Sequence, residues 1–439
     1  RDAQESRGLG DVYKRQSNSP CTRKSTGFVT GTGHGGLFRD KAGKLWSIDC
    51  VAVSKKHWFE RRLAIFPAEI NNDGLLHVNT AQGDYPISLA EGAPTGWQLL
   101  SQGKSATASS TDQDNTPDMA FDENLRTWWS AQTGHKGEWL QVDLGNVCKI
   151  YAVQTNLYEV GANALTSKPA AIRYVIDVSQ DGMKWRRVAD CAREKGQLTH
   201  GYHELPTPVE ARYVRITNRA QMPAGGKFAA SGLRVFGLAS GLKPAVVTGL
   251  AIERLQDQRQ AVVRWQQAKG AEGYIVRYGI APDKLWNHYQ LWGADQTSLI
   301  IRSLIVGTPY YYRVDAVNGA GFTEGMQTVQ DVFSNPVVYA DCPDPDIIRV
   351  GETFYMVSTT MHFAPGCQIM KSRDLVNWQA IGFAYDQLEE DDRFALRNGQ
   401  DDYARGSWAA NLRYDPYERR FYLIVSCNTT EKSYIFTTQ

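Results

Sequence analysis

Between Thr26 and Pro86 the chain reads as short runs in which apolar and polar residues alternate. These are Leu45-Trp-Ser-Ile-Asp-Cys-Val-Ala-Val53, Arg62-Leu-Ala-Ile-Phe66 and Leu75-Leu-His-Val78, separated by Asp40-Lys-Ala-Gly43 and Asn71-Asn-Asp-Gly74. Period-two alternation closed by Gly, Asp and Asn turns predicts half-buried strands joined as hairpins, here about one four-stranded sheet. From Leu99 to Gly237 strand-like runs recur behind turns such as Ser179-Gln-Asp-Gly182, the pattern of a β-sandwich. Gly237-Leu-Ala-Ser-Gly-Leu-Lys-Pro244 reads as a linker, and Lys243 to about Gly325 as a third all-β unit. After Asn335 a further unit opens, with strands predicted at Thr353–Val357 and Arg420–Val425. The expected fold class is all-β, with segments 17–95, 96–240, 243–330 and 335–439.

Composition narrows the function. A chain of 439 residues is about three domain-lengths, and 42% apolar with 22% charged residues is globular rather than disordered or collagen-like. Forty-eight Lys and Arg against 47 Asp and Glu leave a formal charge of +1, so the field that a phosphate backbone requires is absent and no nucleic-acid partner is expected. No stretch reaches the ~18 apolar residues of a membrane span. The seven cysteines are scattered without a C-x-x-C pair, which argues against a zinc site or a disulfide framework. Residues 1–16 carry no apolar periodicity and are expected to lie outside the fold as an artefact or disordered segment. The absent initiator Met and the ending at Gln439 lead us to expect a fragment of a longer secreted, periplasmic or cell-surface protein, monomeric and binding carbohydrate.

The carbohydrate expectation comes from motifs. Asn335-Pro-Val-Val-Tyr-Ala-Asp-Cys-Pro-Asp-Pro-Asp-Ile-Ile-Arg-Val350, Glu352–Thr360, Ile369–Trp378 and Gly406-Ser-Trp-Ala409 resemble the opening of a five-bladed β-propeller of glycoside hydrolase family 43. The resemblance implies that Asp344, between two prolines, is the general base of an inverting hydrolysis, activating water across the sugar from a protonated acid. Alone, Pro-Asp-Pro equally suits a rigid turn whose Asp caps backbone groups. Only 439 − 344 = 95 residues follow Asp344, about two blades, so the family's general acid is expected to be missing from this chain. Glu389 and Glu390 read as solvated charges.

At the other end Thr30-Gly-Thr-Gly-His-Gly-Gly36, Trp46, Phe59-Glu-Arg-Arg62, Phe66-Pro67 and Asn79–Pro86 resemble the last blade of the same family. That resemblance places His34 on a propeller axis near a possible calcium ion; a histidine in a Gly-rich turn is the plain alternative. Ala106–Ser110, Ala120–Ser130, Gly137–Gly145, Ser179–Gly182 with Trp185, Ala211–Ile216 and Leu233–Gly237 resemble a discoidin (coagulation factor 5/8 type C) domain, related to carbohydrate-binding modules of family 32. By that resemblance Asp122, Asn124 and Thr127 hold a structural calcium, or form a hydrogen-bonded loop without metal. Tyr158 and His135 are candidate sugar contacts, while Trp129 and Trp139 are read as core. Val263-Arg-Trp265, Gly273–Tyr278 and Leu304–Tyr310 resemble fibronectin type III, with Trp265 as core anchor and Tyr310 as corner tyrosine. The expected function is that of a piece of a multimodular glycoside hydrolase acting on arabinosyl or xylosyl linkages, the alternative being a non-catalytic carbohydrate-binding protein. The propeller remnants are expected to be loosely held beside a self-sufficient middle pair.

Overall fold

The computed structural model describes residues 28–52, 61–71, 76–160, 172–194, 200–222, 226–302, 304–306, 308–329, 337–338, 340–361, 364–373, 375–376, 378–388, 390–402 and 405–438. Residues 1–16 and Glu389 lie outside these. The described chain is almost entirely strand and turn, as the alternation predicts, with a single 3₁₀ turn at Pro117–Ala120. Among the described residues no helix is long and apolar enough to cross a membrane. Two compact units form, one reaching Val329 and the other holding residues from Gln330 on.

In the first unit, strands Thr30–Arg39, Leu45–Ala52, Arg61–Ile70 and Leu76–Val78 pair in chain order as one antiparallel sheet. Its first hairpin turns on Asp40. One carboxylate oxygen accepts the N–H groups of Ala42 and Lys44 at 2.9 Å, the other the Trp46 indole N–H at 2.9 Å. The Trp46 bond leads these in holding the Asp40 carboxyl below its usual range. Phe28, Val51, Phe66 and Val78 bury the inner face, and Leu125 of the next segment packs against them.

The sandwich that follows is built on three long strands, Trp139–Val160, His200–Asn218 and Lys227–Ala239. The first pairs with different partners along its length: residues 139–143 with Ser105–Ala108 and Tyr213–Thr217, and residues 148–160 with 200–211 and 227–239. Its register shifts between Asp143 and Cys148, around Gly145, whose φ of +85° suits a residue without Cβ. Trp129, Leu140, Ile150, Tyr174, Ile216 and Phe228 fill the interior. Trp139 instead faces outward, with the Arg215 guanidinium 4.5 Å from its ring centroid and 3.9 Å from that of Trp185. That corrects its reading as core: Trp139 pairs with Thr217 on the outer side of the layer, where a cation covers the indole.

Residues 245–329 form a second sandwich. Strands Ala251–Arg254, Ala261–Arg264 and Ser298–Ile301 make one layer, and Asn287–Trp292, Gly273–Gly279, Tyr311–Asn318 and Gly321–Thr323 the body of the other. Trp265 packs on Tyr274 at 5.4 Å between centroids, and the Tyr310 hydroxyl accepts the Ile305 N–H at 3.3 Å, the corner role expected of it.

The N-terminal sheet is welded to both sandwiches, contrary to the expectation of a loose end. Its tail, residues 80–85, runs between them. Thr80 Oγ1 donates to the Trp286 carbonyl, the Gln82 N–H to His288 Nδ1, and Arg277 Nη2 to Gln82 Oε1 at 2.6 Å. Phe28 lies over Gly232, where an added Cβ would come within 2.6 Å of its ring. The first unit is therefore one body, held by contacts far apart in sequence.

The second unit comprises two antiparallel meanders: Asp346–Val350, Thr353–Ser358, Gly366–Ser372 and Gln379–Tyr385, then Ser407–Asp415, Arg420–Cys427 and Lys432–Thr438. Val357, Cys367, Ala410, Leu412, Leu423 and Val425 close one core between the two sheets.

Candidate functional site

Asp344 stands at the entry of the first meander of the second unit. Its backbone is left-handed, φ +46°, a conformation that Asp tolerates but that costs free energy unless the surroundings impose it. They do so through Pro343, whose carbonyl accepts both the Thr359 N–H at 3.0 Å and the Ser358 hydroxyl at 2.8 Å. The Thr359 hydroxyl donates to Asp344 Oδ2 at 3.0 Å and accepts the N–H of Ala409, in the second meander, at 2.8 Å. One buried hydroxyl thus fixes an exposed carboxylate against both sheets. Two residues on, Asp346 accepts the Leu412 N–H and pairs with Arg413, both at 2.8 Å, as a brace between the meanders. Sequence reading placed Asp344 but missed Thr359, whose part depends on the fold-back of residue 409.

Glu390 accepts from Lys432 at 2.9 Å and from the Tyr434 hydroxyl at 2.7 Å, and these bonds hold its carboxyl below the usual range. Asp391 is held down by Arg393 in the same way. Glu390 is thus an exposed charge, as read from the sequence, that is also paired. A general acid needs the opposite environment.

In the first unit Asp122, Asn124 and Thr127 are brought together. Asp122 Oδ1 accepts the Asn124 N–H at 2.8 Å, and the Thr127 hydroxyl lies 2.6 Å from Asp122 Oδ2 and 2.9 Å from the Asn124 carbonyl. Asn124 Oδ1 accepts the Arg126 N–H at 3.0 Å. Partial burial in the loop, which disfavours the charged form, pushes the Asp122 carboxyl up, against the bonds from Thr127 and Asn124. Hard oxygens converge here, and no cationic side chain pairs with Asp122 among the described residues. Both features fit a calcium ion. His34 is not part of this set: it lies exposed on a bulge of its strand, with φ +53° after Gly33, and among the described residues no three His, Cys, Asp or Glu side chains cluster for a metal.

His135 is exposed on a turn of residues 133–138, its carbonyl accepting Asn218 Nδ2 at 2.9 Å. Tyr158 pairs through its backbone with Ala229, whose other neighbour is Ser130, so both candidate residues fall at one end of the sandwich; the Tyr158 side chain lies outside the described atoms. The sequence reading missed two features at that end. Lys227 pairs with Asp112 at 2.6 Å, and Glu138 accepts the hydroxyls of Ser109, Ser110 and Thr133. Burial opposes ionisation of Glu138, but the three hydroxyls outweigh it and hold the carboxyl low.

Between this sandwich and the N-terminal sheet Arg234 is buried whole. Its Nε and Nη2 donate to the two oxygens of Glu123 at 2.9 Å, Nη1 to the Asp84 carbonyl at 2.6 Å and to Gln154 Oε1 at 2.9 Å, and Nη2 also to Asp84 Oδ2 at 3.3 Å. All five donors are used. Burial alone would lower the guanidinium pKa, yet Glu123 and Asp84 outweigh it. Glu123 adopts φ +59° to reach inward while Asp122 faces the loop.

Residues 105–231 match the F5/8 type C domain, residues 245–331 the fibronectin type III domain, and residues 333–439 glycosyl hydrolases family 43. The chain is thus assembled from regions of three known classes. Among its relatives, a Formosa agariphila β-xylosidase is 38% identical over 84 residues, 19% of this chain and 14% of that protein. A Bacteroides ovatus non-reducing end α-L-arabinofuranosidase, BoGH43B, is 37% identical over 99 residues, 23% of this chain and 18% of that one. The chain therefore spans less than a fifth of either. Among solved structures, a bifunctional GH43-CE protein of Bacteroides eggerthii is 50% identical over 24% of this chain and 13% of its own, with a TM-score of 0.22. Chitosan-binding module 1 of a Paenibacillus chitosanase/glucanase is 24% identical over 32% of this chain and 99% of its own, with a TM-score of 0.27.

Proposed function

We propose that the unit from residue 330 onward is part of an inverting glycosidase, built on propeller blades, that acts on arabinosyl or xylosyl linkages with Asp344 as general base, and that residues 105–231 hold it on carbohydrate. The observation that carries the first half is the Asp344 carboxylate, exposed, left-handed and fixed by Thr359 to both meanders. Such rigidity is what a base needs to aim one lone pair at water. The curated relatives, named for xylosidase and arabinofuranosidase activity, supply the substrate class. Calcium, in this reading, sits at Asp122, Asn124 and Thr127, neutralising the carboxylate and bracing the loop; His34 would take it only through water.

In this reading neither Glu390 nor Asp391, each bound to a cation, serves as the general acid, and none is assigned among the described residues of this chain. The chain is therefore expected to release no sugar from xylobiose or from methyl arabinofuranoside, whose alkoxide leaving groups need protonation. Turnover abolished by Asp344→Asn would show that an acid is present after all. A glycosyl fluoride leaves without a proton, so slow fluoride release lost in Asp344→Asn supports the base. Equal release by wild type and variant favours the second reading, a non-catalytic carbohydrate-binding protein, to which the engaged Glu390 also points.

A further inference from the structure

A cleft of about 500 Å³ runs along the seam of the two sandwiches in the first unit, and none of the candidate site residues read from the sequence lines it. Its size lies in the range of roughly 300–1,000 Å³ usual for small-ligand sites. The seam is tight on one side, where the Ala239 N–H donates to the Gly319 carbonyl at 2.7 Å and a Cβ on Gly319 would come within 3.0 Å of the Ala239 methyl. Beside that contact the surfaces part, and polar groups from both sandwiches face the gap. Lys104, Gln102 and Asn146 come from the first, Ser240 from the linker, and Glu272 and Trp292 from the second.

Three features of this set point to a ligand. Lys104 and Glu272 carry opposite charges into one space and both act on the thiol of Cys148 in its wall, yet they do not pair with each other or with any described residue. Their charges cancel, so the cleft favours a neutral molecule that can accept from an ammonium and donate to a carboxylate, as a hydroxyl does. Trp292, only partly buried against Leu99 and Phe236, offers an aromatic surface for the C–H side of a ring. The loop end of the same sandwich is different, because Glu138 is saturated by three hydroxyls of its own chain and Lys227 by Asp112.

We propose that the cleft between Lys104 and Glu272 is a binding site for a short neutral oligosaccharide segment, stacked on Trp292, distinct from the loop end where His135 and Tyr158 lie. It rests on the carbohydrate-binding reading above and adds a place for the sugar. The test is calorimetric titration of the full chain with xylotetraose, α-1,5-arabinotetraose and N,N′,N″-triacetylchitotriose. At least one should bind, and the double variant Lys104→Met, Glu272→Gln should weaken that binding tenfold or more while leaving the melting temperature unchanged. Trp292→Phe, which keeps the packing against Leu99, should weaken it less. Undiminished affinity in the double variant overturns the cleft and leaves the carbohydrate reading standing, with the sugar elsewhere. No binding of any of the three by wild type overturns both. Should the double variant melt early, Asn146→Ala with Trp292→Phe replaces it, and undiminished affinity there again overturns the cleft.

Discussion

Replacing Arg234 with methionine is expected to destabilise the first unit by about 3–5 kcal/mol, the usual cost of breaking a buried ion pair from one side. The side chains of Asp84 and Glu123 are 1% and 8% exposed, so losing the cation leaves two carboxylates facing each other without water. At roughly 2–4 °C per kcal/mol for domains of 150–250 residues, the melting temperature should fall by on the order of 10 °C. The sign of the pH dependence follows. In the variant both carboxyls acquire folded-state pKa values above their unfolded ones, so the folded state holds protons longer and stability declines as pH rises through that window. In the wild type Arg234 offsets their charge from 3.3 Å and 2.9 Å, and no such decline is expected. Adding Asp84→Asn and Glu123→Gln to Arg234→Met should restore part of the loss, because neutral amides can be buried at lower cost. Hydrogen exchange should show the N-terminal sheet losing protection first, since Arg234 joins residues 150 apart and its ring partners Phe28 and Tyr85 belong to that side. A variant that melts with the wild type would mean that the cluster contributes nothing net.

That junction was the least legible part of the chain. Alternation located the strands Leu45–Ala52 and Arg420–Cys427 because each has one covered face, where period two is directly visible. The Asp344 motif was legible because its residues are contiguous. The weld was not, because Asp84, Glu123 and Arg234 come from three distant segments, and nothing local marks a buried carboxylate as paired. A trace did exist: strand Lys227–Ala239, sequence KFAASGLRVFGLA, lacks alternation, and ten consecutive residues from Phe228 to Gly237 are buried. A run without a polar face signals cover on both sides, and Arg234 within it needs a buried partner. Gly232 carried a second trace, since the missing side chain makes room for Phe28. The Thr359 bridge was hidden for the same reason as the weld, as its partners lie 15 and 50 residues away.

Calcium should raise the melting temperature of the first unit by about 5–10 °C: a ligand present at a hundred times its Kd adds ~2.7 kcal/mol, at roughly 2–4 °C each. The full chain is the proper sample, because residues 28–85 pack on the sandwich that carries the loop and removing them would expose Arg234. Partial burial raises the Asp122 carboxyl above its ordinary value. Without metal, the folded state therefore binds its proton more tightly than the unfolded chain, and stability falls as pH rises through the window above ~3.9. A bound cation favours the ionised form, so the calcium increment should be small at the acid end and grow with pH across that window. Asp122→Asn should flatten this dependence and remove most of the increment. Glu123 links the loop to the weld, because its backbone is part of the Asp122–Thr127 turn while its carboxylate grips Arg234. Calcium bound by the loop restrains the residue that carries that carboxylate, so Arg234→Met should weaken calcium binding as well as fold stability, although Arg234 bonds none of the three loop residues. Equal melting in calcium and in chelator, at neutral pH, would reduce the loop to the hydrogen-bonded turn that its distances also describe.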